Sequence, residues 1–340
     1  MLGLGLIGGS LVRRLERSCD VVGYDLDPTV QDAVGTAGLP VAGSVAAAVA
    51  ERDLVVVATP LPTVGPVLAE VAGTGTAAIV TDVVSVKGPV LGAARAALRG
   101  GPRYVGGHPM AGTDRTGFGA SDPHLFDGAA WVLCLEEDTD LAAWLAVAEL
   151  VAGLGCRVVP CSAAGHDAAV AVVSGLPHLL ADALAVAGAQ GGPLALALAA
   201  GSFRDGTRVA GSPPDLVTAL CDGNRSALAG AADTTIARLT RAAEALRSGG
   251  SVAGLAEAGH AARRHFVALS VGGARWSLKS SDPALRERLA ALGAVGGHLT
   301  GVSSEALDCW TPAARAGDGS GGAGQGGAGS AGGTVGTSRP

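Results

Sequence analysis

The chain has 340 residues, of which 48% are hydrophobic and only 3% aromatic, and its formal net charge is −6. This length predicts two domains, with cores built mainly from Ala, Leu and Val. The acidic balance argues against nucleic acid and against an anionic membrane surface as partners. If the substrate is an anion, the positive groups that bind it must therefore be a few local side chains.

The six cysteines show no pattern of a metal site or a disulfide framework. None forms C-x-x-C or a His/Cys cluster with zinc spacing, and Cys156 and Cys161 flank an apolar run as core thiols would. This usage favours a reducing, cytoplasmic setting. The chain opens without the basic and apolar regions of a signal peptide. The most apolar stretch, 166–190, is interrupted by polar residues and proline, so no membrane span is predicted.

Short apolar runs alternate with helix-like segments in the first half of the chain. The runs are continuous rather than alternating, which is typical of parallel strands covered on both faces. Residues 141–154 have the pattern of a helix. The pattern predicts an α/β domain with a doubly wound Rossmann sheet over residues 1–160. Its predicted strands are 21–25, 54–58, 77–82, 104–105, 131–135 and 157–159.

After residue 166 the strand-like runs stop and long helical segments follow. Helices are predicted over 166–190, 214–247, 252–269 and 282–292. They predict an all-helical second domain over 161–312, whose most apolar helices would be buried between two subunits. Residues 313–340 are rich in Gly, Ser and Ala without periodicity, which predicts a disordered and functionally silent tail.

A glycine fingerprint opens the chain, because Gly3-Leu4-Gly5-Leu6-Ile7-Gly8 matches G-x-G-x-x-G. Such a loop makes a tight turn, lets a pyrophosphate approach the backbone and aims a helix N-terminus at the anion. The predicted cofactor contacts are Gly3, Gly5, Leu6, Ile7 and Gly8; the alternative is a glycine-rich turn that binds no ligand. Asp25 follows Gly8 by 17 residues, where a carboxylate accepts hydrogen bonds from ribose hydroxyls and repels a 2′-phosphate, which favours NAD over NADP.

The strand that should precede this fingerprint is nearly missing. A strand of about five residues is expected there, yet only Met1 and Leu2 precede Gly3. Either the start codon is assigned too late or the central strand is truncated, and we favour the first. A chain extended upstream should then melt at a higher temperature.

Three further segments follow predicted strands, at the sheet edge where α/β folds bind ligands. Thr59-Pro60 ends the second predicted strand and is expected at the cofactor. Ser85, in Asp82-Val83-Val84-Ser85-Val86-Lys87, is placed to donate a hydrogen bond near a nicotinamide; the alternative is a helix N-cap. His108 lies in a glycine-rich turn, Gly106 to Gly112, where a ligand can approach its ring and its pKa suits proton transfer.

Polar residues in the helical domain complete the candidate site. His166-Asp167 opens the domain, and Ser174 and His178 follow at an i,i+4 spacing on one helix face that Pro177 should kink. The alternative for His178 is a satisfied core histidine. The segment Phe203-Arg204-Asp205-Gly206-Thr207-Arg208 offers Arg208 as a carboxylate partner, against the alternative of a surface salt bridge for either arginine.

Taken in order, these motifs resemble the prephenate/arogenate dehydrogenase family of tyrosine biosynthesis over about residues 1 to 310. The Gly-Gly-His-Pro-Met-Ala-Gly and Phe-Arg-Asp-x-Thr-Arg motifs are specific, whereas the glycine fingerprint is not. The resemblance implies a Rossmann domain, a helical domain that dimerises, and NAD-linked oxidative decarboxylation of prephenate to 4-hydroxyphenylpyruvate. Arogenate, which would give tyrosine directly, is the alternative substrate.

The resemblance also implies roles for single residues. His108 matches the histidine that takes the proton of the substrate's ring hydroxyl, Ser85 the serine that helps to orient it, and His178 a second active-site histidine. Arg208 matches the arginine that pairs with a substrate carboxylate, and Asp114 stands where the family often has a glutamate. The remaining substrate-binding candidates are Asp167, which matches a carboxylate in the pocket network, and Ser174.

The chain departs from the family pattern at two places. Gly175 replaces the first histidine of Ser-His-Leu-Pro-His, and Val217 lies where a Met-Trp step is common, so bulk is expected to be missing from the pocket. Two other functions compete with the family assignment. A hydroxyacid dehydrogenase would need a lysine in the helical domain, and none lies between Lys87 and Lys279. A protein that senses NAD(H) without turnover is the competing class.

Overall fold

The computed structural model describes residues 1–100, 103–113, 115–269 and 272–313. The tail predicted over 313–340 therefore lies outside the described residues except for Ala313. The described part of the first 161 residues contains six α-helices and six strands. Their order is α1 (Leu6–Leu15), α2 (Pro28–Thr36), α3 (Val45–Val49), β1 (Leu54–Val57), α4 (Leu61–Gly73), β2 (Ile79–Asp82), α5 (Gly88–Ala97), β3 (Tyr104–Val105), β4 (Gly107–Pro109), β5 (Ala130–Cys134), α6 (Leu141–Gly153) and β6 (Arg157–Cys161).

The first sheet is parallel and has the order β1-β2-β3. Leu2 adds to it, because this residue makes parallel bridges to both Tyr24 and Val57. Leu2 thus occupies the central position that the fingerprint requires, although it forms no strand of its own. The predicted strand 21–25 is present only as single bridges at Gly23 and Tyr24, so that prediction is wrong as to length.

A second sheet contains six strands, in the order β4-β5-β6-β8-β9-β7. The later three are β7 (Gly273–Lys279), β8 (His298–Val302) and β9 (Ala306–Pro312). The expectation that β5 and β6 extend the first sheet is wrong, because they pair with each other and with β4 instead. His108 likewise lies on β4, which is antiparallel to β5 with Val132 as its partner, and not in the turn that its glycines predicted.

Two hydrophobic clusters cover the first sheet and hold the domain together. One joins α3, α4 and α5 to the sheet through residues such as Val57, Leu68 and Val80. The other joins α1, α6 and the second sheet through residues such as Leu4 and Trp144. A sheet that is buried on both faces explains why its strands are continuous apolar runs.

Helices make up the segment from Ala163 to Leu269. They are α7 (Ala163–Val170), α8 (Leu176–Gln190), α9 (Gly192–Ala197), α10 (Gly201–Thr207), α11 (Pro214–Gly223), α12 (Arg225–Arg247) and α13 (Ala253–Leu269). A π-helical turn, Ala171–Gly175, joins α7 to α8, and a 3-10 turn, Arg208–Gly211, follows α10. The helical domain predicted after residue 161 is therefore present as far as residue 269.

The last part of this region differs from the prediction. Residues 161–312 were expected to contain only helices, but β7, β8 and β9 surround α14 (Leu285–Ala294) and join the sheet of the first domain. β8 pairs with β6 at Val158 and Leu299. Residues 273–312 therefore belong structurally with the N-terminal half of the chain. Arg286 strengthens this attachment by donating to the carbonyl oxygens of Glu136 and Thr139.

The longest apolar helical run was not expected to qualify as a membrane span. By length and hydropathy, however, Ala163–Gln190 is long and apolar enough to cross a membrane, and 22% of its most apolar window is buried inside the chain. The core helices of soluble proteins pass the same test of length and hydropathy. Large apolar side chains are exposed on this run, among them Val173, Leu184 and Val186.

Candidate active site

The glycine fingerprint forms the turn into α1, and a different physical reason favours glycine at each of its three positions. Gly3 has a φ of +93°, and a Cβ there would lie 2.6 Å from the carbonyl oxygen of Ala58. A Cβ on Gly8 would lie 1.9 Å from the carbonyl oxygen of Gly3, so Gly8 permits close packing of helix and strand. Nothing lies within 4 Å of a Cβ placed on Gly5, which caps α1 without a side-chain hydrogen bond. Leu6 and Ile7 begin the helix, so the open space at Gly5 faces a helix N-terminus suited to an anion.

Asp25 and Thr59 lie beside this loop. One carboxylate oxygen of Asp25 accepts from the amide of Leu4 at 2.7 Å, and the other accepts from the amide of Asp27 at 3.0 Å. The carboxylate is therefore fixed against the glycine loop. Thr59 follows β1, and its hydroxyl is buried without a hydrogen-bond partner among the described residues. Pro60 then precedes the first residue of α4, so both residues lie where the first sheet ends.

A chain of three side chains joins the two domains. Nδ1 of His108 lies 2.8 Å from Nε2 of His166, and Nδ1 of His166 lies 2.7 Å from a carboxylate oxygen of Asp167. His166 is only 2% exposed, whereas His108 is half-buried. Asp167 lies at one end of this hydrogen-bonded series. At the other end, Nε2 of His108 has no hydrogen-bond partner in the described part of the molecule.

The protonation of this chain follows from its last member. An ionised Asp167 only accepts, so His166 donates from Nδ1, and in the neutral form of its ring Nε2 then accepts. His108 must in turn donate from Nδ1, which leaves its Nε2 unprotonated. The geometry thus selects the tautomer in which His108 can accept a proton at Nε2.

Asp167 is held by backbone as well as by His166. Its carboxylate oxygens accept from the amides of Lys87 and Gly88 at 2.8 Å and 2.7 Å, so Asp167 caps the N-terminus of α5 from another domain. The cap alternative for Ser85 is wrong, because the residue before α5 is Lys87 and the capping group is Asp167. The Ser85 hydroxyl makes no hydrogen bond among the described residues and stays half-buried beside the cap.

Electrostatics set the protonation state of both ends of the chain. Burial, followed by the neighbouring His166 and Lys87, lowers the pKa of His108 well below its usual value. Burial alone would raise the pKa of Asp167, but hydrogen bonds from His166, Lys87 and Gly88 outweigh burial and lower it. At neutral pH His108 is therefore neutral and Asp167 is ionised, as the tautomer requires.

The predicted residues on the second helix lie on and after the π-helical turn. Ser174 is in that turn, and His178 follows Pro177 in the first turn of α8. Pro177 lacks the amide that would bond one turn earlier, and the π-turn accommodates this loss, as such turns often do at functional sites. Nδ1 of His178 is buried and has no partner among the described residues, which does not support a satisfied core histidine. The active-site role of His178 stays a prediction.

Gly175 does not open the pocket as expected. A Cβ on Gly175 would lie 3.0 Å from Leu228, a buried residue of α12. The missing side chain is therefore compensated by close packing of two helices. The bulk expected to be lost at this position is supplied by Leu228.

Arg208 begins the 3-10 turn that packs against α8, the helix that carries His178. It is exposed and forms no ion pair within the described ranges, and the same holds for Arg204. The structure thus gives no support to the salt-bridge alternative, and the pairing of Arg208 with a substrate carboxylate stays a prediction. Within the described residues, no hydrogen bond or ion pair joins Arg208, His178 or Ser174 to His108, whose hydrogen-bond partner is His166. Asp114 lies outside the described residues.

His166 is the one member of the chain that sequence reasoning missed as a site residue. Its signal was the His-Asp pair at the start of the helical domain, which was interpreted through Asp167 alone. A histidine followed directly by a carboxylate can place its Nδ1 on that carboxylate. Its role depends on the contact between β4, which carries His108, and α7, which carries His166.

These features define a two-domain protein of the Rossmann class, in which a nucleotide-binding domain meets a helical domain at a histidine pair. Residues 9–160 match the family model described as prephenate dehydrogenase, nucleotide-binding domain. Residues 162–257 match the model described as prephenate dehydrogenase, dimerization domain. The chain belongs to the prephenate dehydrogenase family.

Individual relatives agree with this membership. The prephenate dehydrogenase of Bacillus subtilis is 34% identical over 226 residues, which are 63% of this chain and 60% of that protein. The chain thus spans less than two thirds of that relative's length. A Corynebacterium glutamicum protein described as a candidate prephenate dehydrogenase has a crystal structure with a TM-score of 0.79 and 36% identity, covering 87% of this chain and 96% of that chain. The prephenate dehydrogenase of Aquifex aeolicus, solved with hydroxyphenyl propionate and NAD+, has a TM-score of 0.70 and 26% identity, with 78% and 96% covered.

Proposed function

We propose that this protein catalyses the NAD-dependent oxidative decarboxylation of prephenate to 4-hydroxyphenylpyruvate in tyrosine biosynthesis. The observation that carries the proposal is the His108, His166 and Asp167 chain, which prepares one imidazole nitrogen to accept a proton next to a nucleotide-binding domain. Family membership and the ligands of the Aquifex aeolicus enzyme support the same reaction.

NAD fits the glycine loop of this chain. The open space at Gly5 and the uncapped start of α1 suit a pyrophosphate, and the buried hydroxyl of Thr59 is left for a ligand. Asp25 would accept from ribose hydroxyls and repel a 2′-phosphate, so NAD is favoured over NADP. When bound, the nicotinamide supplies the hydride acceptor of the reaction.

The side chains of the protein then accept the proton and position the substrate. His108 Nε2 takes the proton of the substrate's ring hydroxyl, and the half-buried hydroxyl of Ser85 orients that group. Arg208 pairs with a substrate carboxylate in a bidentate geometry, with Ser174 and His178 as further polar contacts on the neighbouring helix. Loss of carbon dioxide aromatises the ring, so the residues need mainly to position the dianion and accept its proton.

The deciding experiment is an assay of NADH formation with prephenate or arogenate and with NAD or NADP. Prephenate with NAD is expected to give the highest kcat/KM, and a preference for arogenate would make tyrosine the direct product. His108→Ala should lower turnover by about 10²–10⁴-fold and leave NAD affinity unchanged. No NADH with either substrate, together with intact NAD binding, would favour the sensor alternative.

A second copy of this chain is the expected partner. The family model for residues 162–257 is described as a dimerization domain. Many large apolar side chains are exposed on these helices, including Val173, Leu184, Leu194, Ile236 and Leu239. Charged substitutions at Ile236 and Leu239 should convert a dimer to monomers in analytical ultracentrifugation. All six cysteines are free, in keeping with the cytoplasmic location we propose.

A further inference from the structure

Lys87 is a buried lysine that the proposed mechanism does not use. The chain contains two lysines, Lys87 and Lys279. Lys87 is 1% exposed, whereas Lys279 is exposed on β7. A fully buried ammonium group is rare without a specific partner, so its contacts indicate what it does.

The side chain of Lys87 connects two strand ends. Its Nζ forms an ion pair with the carboxylate of Asp82, the last residue of β2, and both side chains are fully buried. The same Nζ donates to the carbonyl oxygen of Gly107 at 2.6 Å. Gly107 directly precedes His108, so the ammonium group holds the backbone that carries the imidazole.

Asp82 extends this connection. Its second carboxylate oxygen accepts from the hydroxyl of Tyr104 at 2.5 Å and from the amide of Gly107 at 3.3 Å. Its first oxygen also accepts from the amide of Val84 at 2.8 Å. The pair therefore fixes the loop that carries Ser85 and the strand that carries His108 as one unit.

The backbone amide of Lys87 binds Asp167, at the other end of the histidine chain. This amide donates to the Asp167 oxygen that also accepts from His166. A single residue thus touches both the residue before His108 and the carboxylate behind His166.

We propose that Lys87 is a positioning residue of this site, whose ammonium group fixes the strand that carries His108 and whose amide fixes the carboxylate at the end of the histidine chain. This proposal rests on the proposed function only for its kinetic consequence. The structural role concerns His108 itself and holds whichever substrate is used.

The charge of Lys87 gives this role a measurable signature. The pKa of His108 is lowered first by burial, then by His166 on α7 and then by Lys87. Asp82 and Asp167 lie one hydrogen bond beyond these two groups. Loss of the ammonium should therefore raise the pH at which His108 titrates, and a purely structural lysine would not have this effect.

The test compares Lys87→Met with the pair variant Asp82→Asn/Lys87→Met and with Lys279→Met as a matched control. Lys87→Met leaves Asp82 buried and unpaired, so its melting temperature should fall. The pair variant removes that unpaired charge and should recover most of the melting temperature. Lys279→Met should behave as the wild type in every measurement.

The readout is the NMR titration of the His108 ring, assigned by its loss in His108→Gln, alongside the pH profile of kcat/KM. Lys87→Met should titrate at higher pH than the wild type, and the acidic limb of its profile should move in the same direction. The pair variant should shift less, because it also loses the carboxylate of Asp82. The turnover of the pair variant should be about 10²-fold lower, with KM for NAD unchanged.

The outcomes separate the two proposals. A His108 titration that stays at the wild-type pH in Lys87→Met, or a pair variant with wild-type turnover, would overturn the role of Lys87. If the wild type fails to oxidise prephenate or arogenate while the His108 titration still moves in Lys87→Met, the proposed reaction is removed and the role of Lys87 is supported.

Discussion

Substitution of Asp167 tests whether the histidine chain works by selecting a tautomer. Asparagine has nearly the shape of aspartate but carries an amide NH2 that donates. The Asp167 oxygen that accepts from His166 Nδ1 also accepts from the amide of Lys87, so the asparagine oxygen should take this position and its NH2 should face Gly88. His166 then keeps its proton on Nδ1, and Nε2 of His108 stays free to accept the proton of the substrate.

The magnitude follows from the bonds that Asp167 makes. Its two oxygens accept from His166, from Lys87 and from Gly88 at 2.7 to 2.8 Å. The asparagine side chain of Asp167→Asn offers only one accepting atom, so the amide of Gly88 loses its partner at about 1 kcal/mol. Asp167→Ala leaves His166 without the acceptor that selects its tautomer, so this variant should lower kcat by about 10²–10⁴-fold.

Asp167→Asn is the matched control for this prediction. Both variants lose the charge, but only Asp167→Ala also loses the oxygen that holds the proton of His166 on Nδ1. Both variants should lose stability in urea denaturation, while steady-state NADH formation should be slower in Asp167→Ala than in Asp167→Asn. Equal rates in the two variants, or a slower asparagine variant, would refute the tautomer reasoning.

Three further predictions concern the cofactor loop, the substrate anion and acid stability. Gly8→Ala should abolish NAD binding and lower the melting temperature, because its Cβ would overlap the Gly3 carbonyl, whereas Gly5→Ala should fold normally and weaken only NAD affinity in calorimetry. Arg208→Ala should chiefly raise KM for prephenate, and Arg208→Lys should not restore it, because a lysine lacks the bidentate fork; a fall in kcat alone would contradict the clamp. Burial and Arg157 lower the pKa of His298 to about 4, so the folded state resists protonation and stability should fall as the pH drops from about 6.5 to 4. In His298→Phe the melting temperature should depend less on pH over this range. An unchanged pH dependence of the melting temperature would exclude His298 as its source.

Local patterns were enough to predict the glycine loop and most of the helices. The fingerprint, the continuous apolar runs and the long helical segments depend on neighbours in sequence, and the structure has them at nearly the predicted places. His108 was predicted as a candidate for the same reason. Its glycines were interpreted as a turn, however, because antiparallel pairing with β5 is a property of distant residues.

The remaining errors have a common physical cause, which is that packing partners are not visible in one sequence. Gly175 was taken as missing bulk, although Leu228 of α12 fills its place. Ser85 was considered as a helix cap, although Asp167 supplies that cap from the other domain. His166 was passed over because its contact with His108 spans 58 residues of sequence.

The sheet built from residues 107–161 and 273–312 has a consequence for how the chain folds. Its strand β6 acquires its neighbour β8 only after more than a hundred residues of helical domain have been made. During synthesis β6 would therefore present an unpaired edge, which is the kind of surface that promotes aggregation. Pairing across so long a separation is also slow. Refolding of this protein should accordingly be slower than that of its isolated helices, with completion of the second sheet as its late step.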